Sequence, residues 1–351
     1  MKTDLAIIGG GLTGLAIAAR LHRAGVDFRL FEARPRLGGR ISVMKTAGGA
    51  VDLGPSWFWP GQPRIAALID DLGLQAFLQH AAGDICFEDE AGQIHRGQGF
   101  ASMEGSFRLA GGMTGLIEGL AGKVPAERIH LSCPIAGIVR SGDSLSLEGA
   151  GCAANRVVLA LPPRIAAGLR FDPVLPPEIL GALKAIPTWM AAHAKFVAAY
   201  DRPFWRDAGL SGDAMSRRGP LMEIHDASGP DASPAALFGF LGIPAAARLN
   251  RSEDITAAAL GQLGRLFGPE AMAPRHSALK DWAHEAETAT ALDHDPPRGH
   301  PAYGMPAVLR DIRDGRLFFA ATETAPEMGG LMEGALAAAE HVSLQVLGTA
   351  A

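Results

Sequence analysis

The first chemical signal is a glycine pattern. Gly9-x-Gly11-x-x-Gly14 lies between the apolar run DLAII and the amphipathic segment LAIAARLHRAG, and Glu32 follows eighteen residues after Gly14. Glycines at this spacing let a pyrophosphate approach the backbone at a helix N-terminus, whose N–H groups and dipole stabilise its charge. An acid ending the next strand accepts hydrogen bonds from the ribose hydroxyls of an adenosine. The set predicts dinucleotide binding, with Leu12 and Thr13 in the glycine turn before the helix. The alternative is a glycine-rich turn in an ordinary α/β domain. An acid at 32, rather than a small residue followed by arginine, disfavours NADP.

A second signal is a lysine in an apolar setting. Lys195 sits within AAHAKFVAAY, residues 191–200, which otherwise reads as a strand. Lysine lowers β-propensity and is costly to bury. His193 falls on the same face at period two. Read alone, both residues fit a solvated strand face. Asp293, His294, Asp295 and His300 cluster further on. They could bind a metal or donate protons, but their spacing fits no metal pattern, and a solvated loop is the plainer reading. No serine, histidine and aspartate set carries a nucleophile elbow.

These residues need a frame. Residues 4–8 read as a buried strand, LAIAARLHRAG as a helix ending at Gly25, and DFRLFEA as a second strand, a βαβ unit. Residues 64–74, GGMTGLIEGLAGKV and 251–267 read as helices. ICFEDEAGQIHRG reads as a hairpin, and residues 129–161 as several strands. Pro-rich segments follow at 172–177. After DRPFW comes a loop rich in Gly and Pro, then strands at AALFGFLGI, SALKDWAHE and RLFFAA and a closing helix.

The chain of 351 residues, 48% hydrophobic and 20% charged, is long enough for one or two cored domains and is not disordered. A net charge of −5 without a basic run argues against nucleic acid. Three scattered cysteines, Cys86, Cys133 and Cys152, suit the reducing cytoplasm rather than a disulfide framework. No run reaches transmembrane length without charge or proline, so no membrane partner is expected.

EARPRLGGR (32–40) adds the Gly38-Gly39 pair, which admits a ligand to the backbone, and Arg40, which can pair with phosphate. VDLGPSW (51–57) adds another glycine turn. In this order, GGGLTGLAIAARLHRAG, RLFEARPRLGGR and DLGPSW resemble the start of the flavin-containing amine oxidase family, the monoamine and polyamine oxidases, of which this would be a short member. The resemblance implies that FAD binds here, at Gly9, Gly11, Leu12, Thr13, Gly14, Glu32, Ala33, Arg34, Gly38, Gly39, Arg40, Gly54, Pro55, Ser56 and Trp57. RLFFAATETAPEMGGLMEGALAAAE is similar to the family's closing motif. It implies that Thr322 and Glu323 lie in an FAD-contacting turn and that Leu331 and Met332 open a helix aimed at the isoalloxazine. CPIAGI implies Ile135 at the adenine, and KDWAHE implies Trp282 at the flavin. WMAAHAKFVAAYDRPFW resembles the family's lysine-bearing strand, so Lys195 is implied to hold a water at flavin N5 and assist reaction with molecular oxygen.

Three departures qualify the resemblance. Where some relatives carry a flavin-linking cysteine, counting from Trp282 reaches Ala291, which implies non-covalent FAD. The family's two substrate-flanking aromatics match Leu292 and Leu331, which offer no cation–π contact. Only about 35 residues separate the helix at 64–74 from RLAGG. The flavin is then more open, or a second subunit of a homo-oligomer covers it. Trp57, Phe58, Trp59 and Trp189 are candidates for its mouth, with core packing as the alternative for each.

The expected fold is α/β: a Rossmann-like three-layer FAD-binding domain (1–74, 110–185 and 288–351) interleaved with a smaller mixed-sheet substrate domain (75–109 and 186–287). The expected function is hydride transfer from a small-molecule amine to flavin N5, with reoxidation by oxygen to give peroxide. The alternatives are a renalase-like oxidase of reduced nicotinamides and a non-catalytic flavin-binding protein.

Overall fold

In a computed structural model of the chain, residues 1–348 are described apart from 98, 100, 311 and 313; residues 349–351, the end of the expected FAD-binding unit, lie outside them. The apolar run at the start forms the strand Lys2–Ile8. It pairs in parallel with Phe28–Phe31 on one side and Cys152–Leu159 on the other. Ile129–His130 extends this array beyond Phe28–Phe31, and Leu317–Phe319 pairs in parallel with Cys152–Leu159. Leu5, Ile7 and Leu30 enter one core, while Ala6, Ile8 and Phe31 enter another. That alternation is the period-two signature of strands buried on both faces.

Helices Leu12–Arg23, Thr114–Ala121 and Met332–Gly348 supply the first core. The antiparallel strands Gly137–Ser141 and Ser144–Glu148, with helix Pro177–Ala185, supply the second. The arrangement is the expected Rossmann-like three-layer α/β fold. Pro177 occupies the first turn of its helix, where its missing N–H costs nothing, so the Pro-rich segment at 172–177 leads straight into a helix.

A second sheet runs, among the described residues, in the order His276–Asp281, Ala194–Tyr200, Ala235–Leu241, Leu221–Asp226, Leu210–Ser216, Asp84–Glu88, Ile94–Gly97. Two of these strands, Leu210–Ser216 and Leu221–Asp226, replace much of the expected Gly- and Pro-rich loop. Their apolar pattern is weak because they carry the polar residues Asp213, Glu223 and His225.

The strand Ala194–Tyr200 is central and buried throughout. Phe196, Ala198 and Tyr200 pack in the core shared with helix Ser252–Phe267. Val197 and Ala199 pack in the opposite core, with Val51 and Phe238. Alternation puts Lys195 on that second face, so its burial follows from the strand rather than from the residue. The strand begins at Ala194, because Thr188–His193 closes on itself in successive turns.

Candidate active site

Residues from both sheets line a cavity of about 930 Å³. Of the positions implied to contact FAD, together with Lys195, all but Gly14 and Glu323 line it. The two exceptions lie directly behind it.

Gly14 is a packing position: a Cβ there would come within 1.9 Å of the Gly9 carbonyl oxygen. Gly9 has φ +109°, the left-handed region that favours glycine, and a Cβ on it would lie 2.4 Å from the Ala160 carbonyl oxygen. Gly11 differs. The nearest atoms a Cβ would meet are 4.0 Å away, in Gly38 and Gly39, so its vacancy faces the cavity. Gly11 also caps the helix Leu12–Arg23 without a side-chain hydrogen bond, and the first turn holds no acid. The helix therefore presents unmet N–H groups and a positive dipole end, the requirements of a phosphate cradle.

Glu32 is buried and holds the turn. Its Oε2 accepts from the Gly10 N–H at 2.7 Å and its Oε1 from the Arg34 N–H at 2.9 Å. A carboxylate has about four acceptor positions, so two remain for a ribose. Arg34 reaches across to Thr288 Oγ1 at 2.9 Å and Glu285 Oε2 at 3.2 Å. Arg40 makes a two-pronged pair with the fully buried Glu323, at 2.5 and 3.2 Å. Glu323 is thus the anchor of Arg40 and does not itself line the cavity. Arg36, which drew no notice in the sequence, donates to the carbonyls of Leu37, Gly39 and Ile41 and fixes the Gly38-Gly39 bend. Ile135 is buried in the cavity wall near Cys133, whose N–H donates to the Glu32 carbonyl.

Lys195 forms the opposite wall. It is 2% exposed. Its Nζ donates to Ser56 Oγ at 2.6 Å and to the Gly54 carbonyl at 3.2 Å, and stands 3.7 Å from the Phe238 ring centroid. A charged ammonium has three donors, so one is left over. Burial pushes its pKa down to about 7, with Asp52 pulling upward and Arg108 downward. Burial also raises Asp52, whose Oδ1 accepts from the Met113 N–H. Trp282 donates from Nε1 to the Leu53 carbonyl at 3.0 Å, securing the segment that meets Lys195. His193 lines the cavity as well; burial, then Arg248, lowers its pKa, which favours the neutral imidazole.

The aromatic candidates separate. Trp57, Trp59 and Trp189 line the cavity, whereas Phe58 is buried in the helical core against Phe107. Leu331 and Met332 line it too. Leu292 does not: it is 54% exposed on the short turn Ala291–Asp293, and the adjoining Ala291 is exposed too. The uninterrupted count from Trp282 fails because Asp293 knots this turn. Its carboxylate accepts from Thr290, from Arg164 Nη1 at 2.7 Å and from the Thr188 N–H at 3.0 Å. Asp293 is therefore spent structurally. His300 instead faces Trp189, with ring centroids 4.7 Å apart, at the cavity.

Among the lining residues not singled out in the sequence is an acid. Glu223 projects from Leu221–Asp226 and joins a polar chain. His225 Nε2 lies 3.0 Å from Glu223 Oε1, and His225 Nδ1 lies 2.8 Å from Asp213 Oδ1. Its strand signal was weak, because Glu223 and His225 interrupt the apolar pattern of LMEIHD beside Gly219-Pro220.

The sequence profile of the family described as flavin containing amine oxidoreductase matches residues 12–97 and 82–347. The chain belongs to that family. As a flavin-containing amine oxidoreductase it uses FAD, in keeping with the cradle around Gly11. It is 24% identical to a probable flavin-containing monoamine oxidase A of Dictyostelium discoideum, over 98% of this chain and 97% of that protein. It is 26% identical to amine oxidase B of Sus scrofa, over 99% of this chain and 86% of that one. Its fold matches a putrescine oxidase solved with putrescine bound, with a TM-score of 0.82 at 20% identity over 99% of both chains. A cyclohexylamine oxidase of Brevibacterium oxydans matches with a TM-score of 0.81 at 20% identity, again over 99% of both chains.

Proposed function

We propose that this flavin-containing amine oxidoreductase is an oxidase of small amines that holds FAD non-covalently and uses molecular oxygen as its electron acceptor. When bound, FAD supplies the redox chemistry: it takes a hydride from the carbon bearing the amine nitrogen and passes two electrons to oxygen, giving peroxide. The residues present fit that group. Gly11 and the uncapped helix suit its pyrophosphate, and Glu32 suits its adenosine ribose. Arg40, fixed by Glu323, adds positive charge beside the Gly38-Gly39 bend. Cys133 is the cysteine on the cavity wall, and it sits at the Glu32 end, while Cys86 and Cys152 are buried elsewhere; this supports non-covalent attachment.

The observation that carries the proposal is the buried Lys195 Nζ in the cavity wall, with a spare polar valence beyond its bonds to Ser56 and Gly54. Near neutral pH it can hold a water as acceptor or donor and hand on a proton, because its pKa matches the medium. Trp57, Phe240 and Trp189 add apolar rings to the cavity lining. An imine leaving the site meets solvent and hydrolyses.

Among the described residues no helix is long and apolar enough to cross a membrane. The three free cysteines support a reducing, cytoplasmic setting. The test is to load the protein with FAD and follow flavin bleaching and peroxide release with an amine panel, reduced nicotinamides serving as comparison. Bleaching by amines is expected. A protein that cannot be reconstituted with FAD, or that bleaches only with reduced nicotinamides, overturns the proposal.

A further inference from the structure

We infer that Asp52, which does not itself line the cavity, is a positioning residue for Lys195: its carboxylate is the counter-charge that keeps the Lys195 ammonium at its post for reaction with oxygen. The inference rests on the amine oxidase reading above. Three observations carry it.

The first is connectivity. The strand Gly49–Asp52 ends at Asp52, and the chain running on from it supplies both oxygens that Lys195 meets, the Gly54 carbonyl and Ser56 Oγ. Val51 packs with Val197 and Ala199, so this strand lies on the face of Ala194–Tyr200 that carries Lys195. The segment is fixed at several points. Asp52 is paired with Val43, its Oδ1 accepts from the Met113 N–H at 2.8 Å, and the Leu53 N–H donates to the Ser42 carbonyl at 2.8 Å. A Cβ on Gly112 would lie 3.0 Å from Asp52 Oδ1, so the carboxylate has little room to swing. Counter-charge and hydrogen-bond acceptors thus reach Lys195 from one anchored stretch of chain.

The second is an unspent oxygen. Asp52 is 1% exposed, and its buried Oδ2 has no hydrogen-bond partner among the described residues. Arg108, equally buried, is the cation at hand. Its Nη1 and Nη2 donate instead to the carbonyls of Ser228 and Ala227, at 2.8 and 3.0 Å, and its Nε is itself buried and unpartnered. Asp52 and Arg108 therefore act on one another through space rather than through a hydrogen bond. A carboxylate buried for structure alone is saturated with donors, because an unmet buried oxygen is costly. Asp52 instead keeps half its acceptor capacity free in the field of two cations.

The third is the set of charges round Lys195. Lys280 lies opposite it on the neighbouring strand but is bound to Glu285. Glu223, two strands away, accepts from Ser102 and meets His225. His193, just before the strand, has its proton affinity lowered by burial and then by Arg248. Asp226 and Arg206 pair with each other at 2.8 Å and act on Arg108. Asp52 and Arg108 are left as the charges that act on Lys195, one favouring its proton and the other opposing it. Burial raises Asp52 and lowers Lys195, so their proton affinities converge and the two titrate as a pair. Without Asp52, Lys195 would face a buried guanidinium alone and give up its proton at lower pH.

The test is Asp52→Asn, which keeps an oxygen for the Met113 N–H and removes the charge. The FAD-loaded protein is reduced with dithionite, without any amine, and mixed with oxygen from pH 5 to 9 while stopped-flow absorbance follows reoxidation. The native rate should fall through an inflection at about pH 7 as Lys195 loses its proton. In Asp52→Asn the inflection should move about one unit or more towards acid, the effect of losing a nearby opposite charge. A one-unit shift makes the variant about fivefold slower at pH 7 and nearly equal to the native protein at pH 5. A merely structural lesion lowers the rate at every pH alike. In a Lys195→Met background Asp52→Asn should leave the profile unchanged. Arg108→Gln, which removes the opposing cation, should move the inflection towards alkali, and it decides if Asp52→Asn does not hold FAD. An inflection that stays in place, or one that Asp52→Asn moves even without Lys195, overturns the positioning role and leaves the oxidase reading intact. If reduced flavin in the native protein does not react with oxygen, the oxidase reading falls and the role with it.

Discussion

The two halves of the cavity are made of different material. Around Gly9 to Thr13 and Gly38-Gly39 the wall is mostly backbone: bare turns, an open helix end, carbonyls held by Arg36. Around Lys195, Glu223 and Phe240 it is side chain, projected from one face of a sheet. A backbone wall recognises what every dinucleotide shares, and its geometry tolerates no added atoms where packing is tight. A side-chain wall can be altered one residue at a time without disturbing the fold. The two kinds of wall meet in the same enclosure.

The contrast can be broken hardest at Arg40. Replacing Arg40 with Met strands the buried Glu323 and should cost about 3 kcal/mol of stability, read as a fall in the denaturant midpoint. Arg40→Met combined with Glu323→Gln should recover most of the loss. No recovery would mean that Arg40 acts on its own.

Lys195→Met tests the opposite wall. Flavin reoxidation by oxygen should slow by about 100-fold, in the range of a lost general acid–base group, while FAD stays bound. Stopped-flow absorbance after mixing with oxygen reads this, and an unchanged rate would remove Lys195 from the chemistry. The native protein offers a second check. Unfolded lysine keeps its proton up to its ordinary pKa near 10.5, whereas folded Lys195 releases it at about 7. Unfolding therefore takes up a proton between those values, and the lysine's destabilising contribution, full below pH 7, fades as pH rises towards 10.5. The stability advantage of Lys195→Met over the native apo-protein should be largest near pH 6 and shrink by pH 10.

Within the backbone wall the glycines should divide. Gly14→Ala forces a Cβ against the Gly9 carbonyl and should destabilise the fold by about 1–3 kcal/mol, seen in thermal melts. Gly11→Ala adds an atom only to open space and should leave the melting temperature of the apo-protein nearly unchanged while weakening FAD binding, measured by titration. Equal melts for the two variants would erase the distinction between packing glycine and cradle glycine.

Legibility in the sequence followed the same division. The glycine spacing, the strand periods within 4–8 and 191–200 and the closing helix were readable because each is a local pattern with one physical meaning, although the second strand begins only at Ala194. The burial of Lys195 was readable only through its neighbours: Phe196 and Val197 commit both faces of the strand. Leu292 was misread because a turn closed by Thr290, Asp293, Arg164 and Thr188 is assembled from distant residues, and counting cannot see it. Glu223 and His225 were missed for a related reason. Polar residues at inward positions erase the apolar alternation that marks a strand, so a segment that lines the cavity reads as loop.

Arg40 and Glu323 are 283 residues apart. At translation rates of 5–20 residues per second, Arg40 leaves the ribosome on the order of 15–60 s before its partner is made. The strand Leu317–Phe319 and the helix Met332–Gly348 are equally late, yet the first strand and first helix pack in the same cores as they do. The early βαβ unit must therefore wait, with its flavin cradle shaped but unsupported, until the chain is almost finished. Flavin capture is in this sense a final step of biosynthesis, and nascent chains stalled short of Glu323 should be colourless.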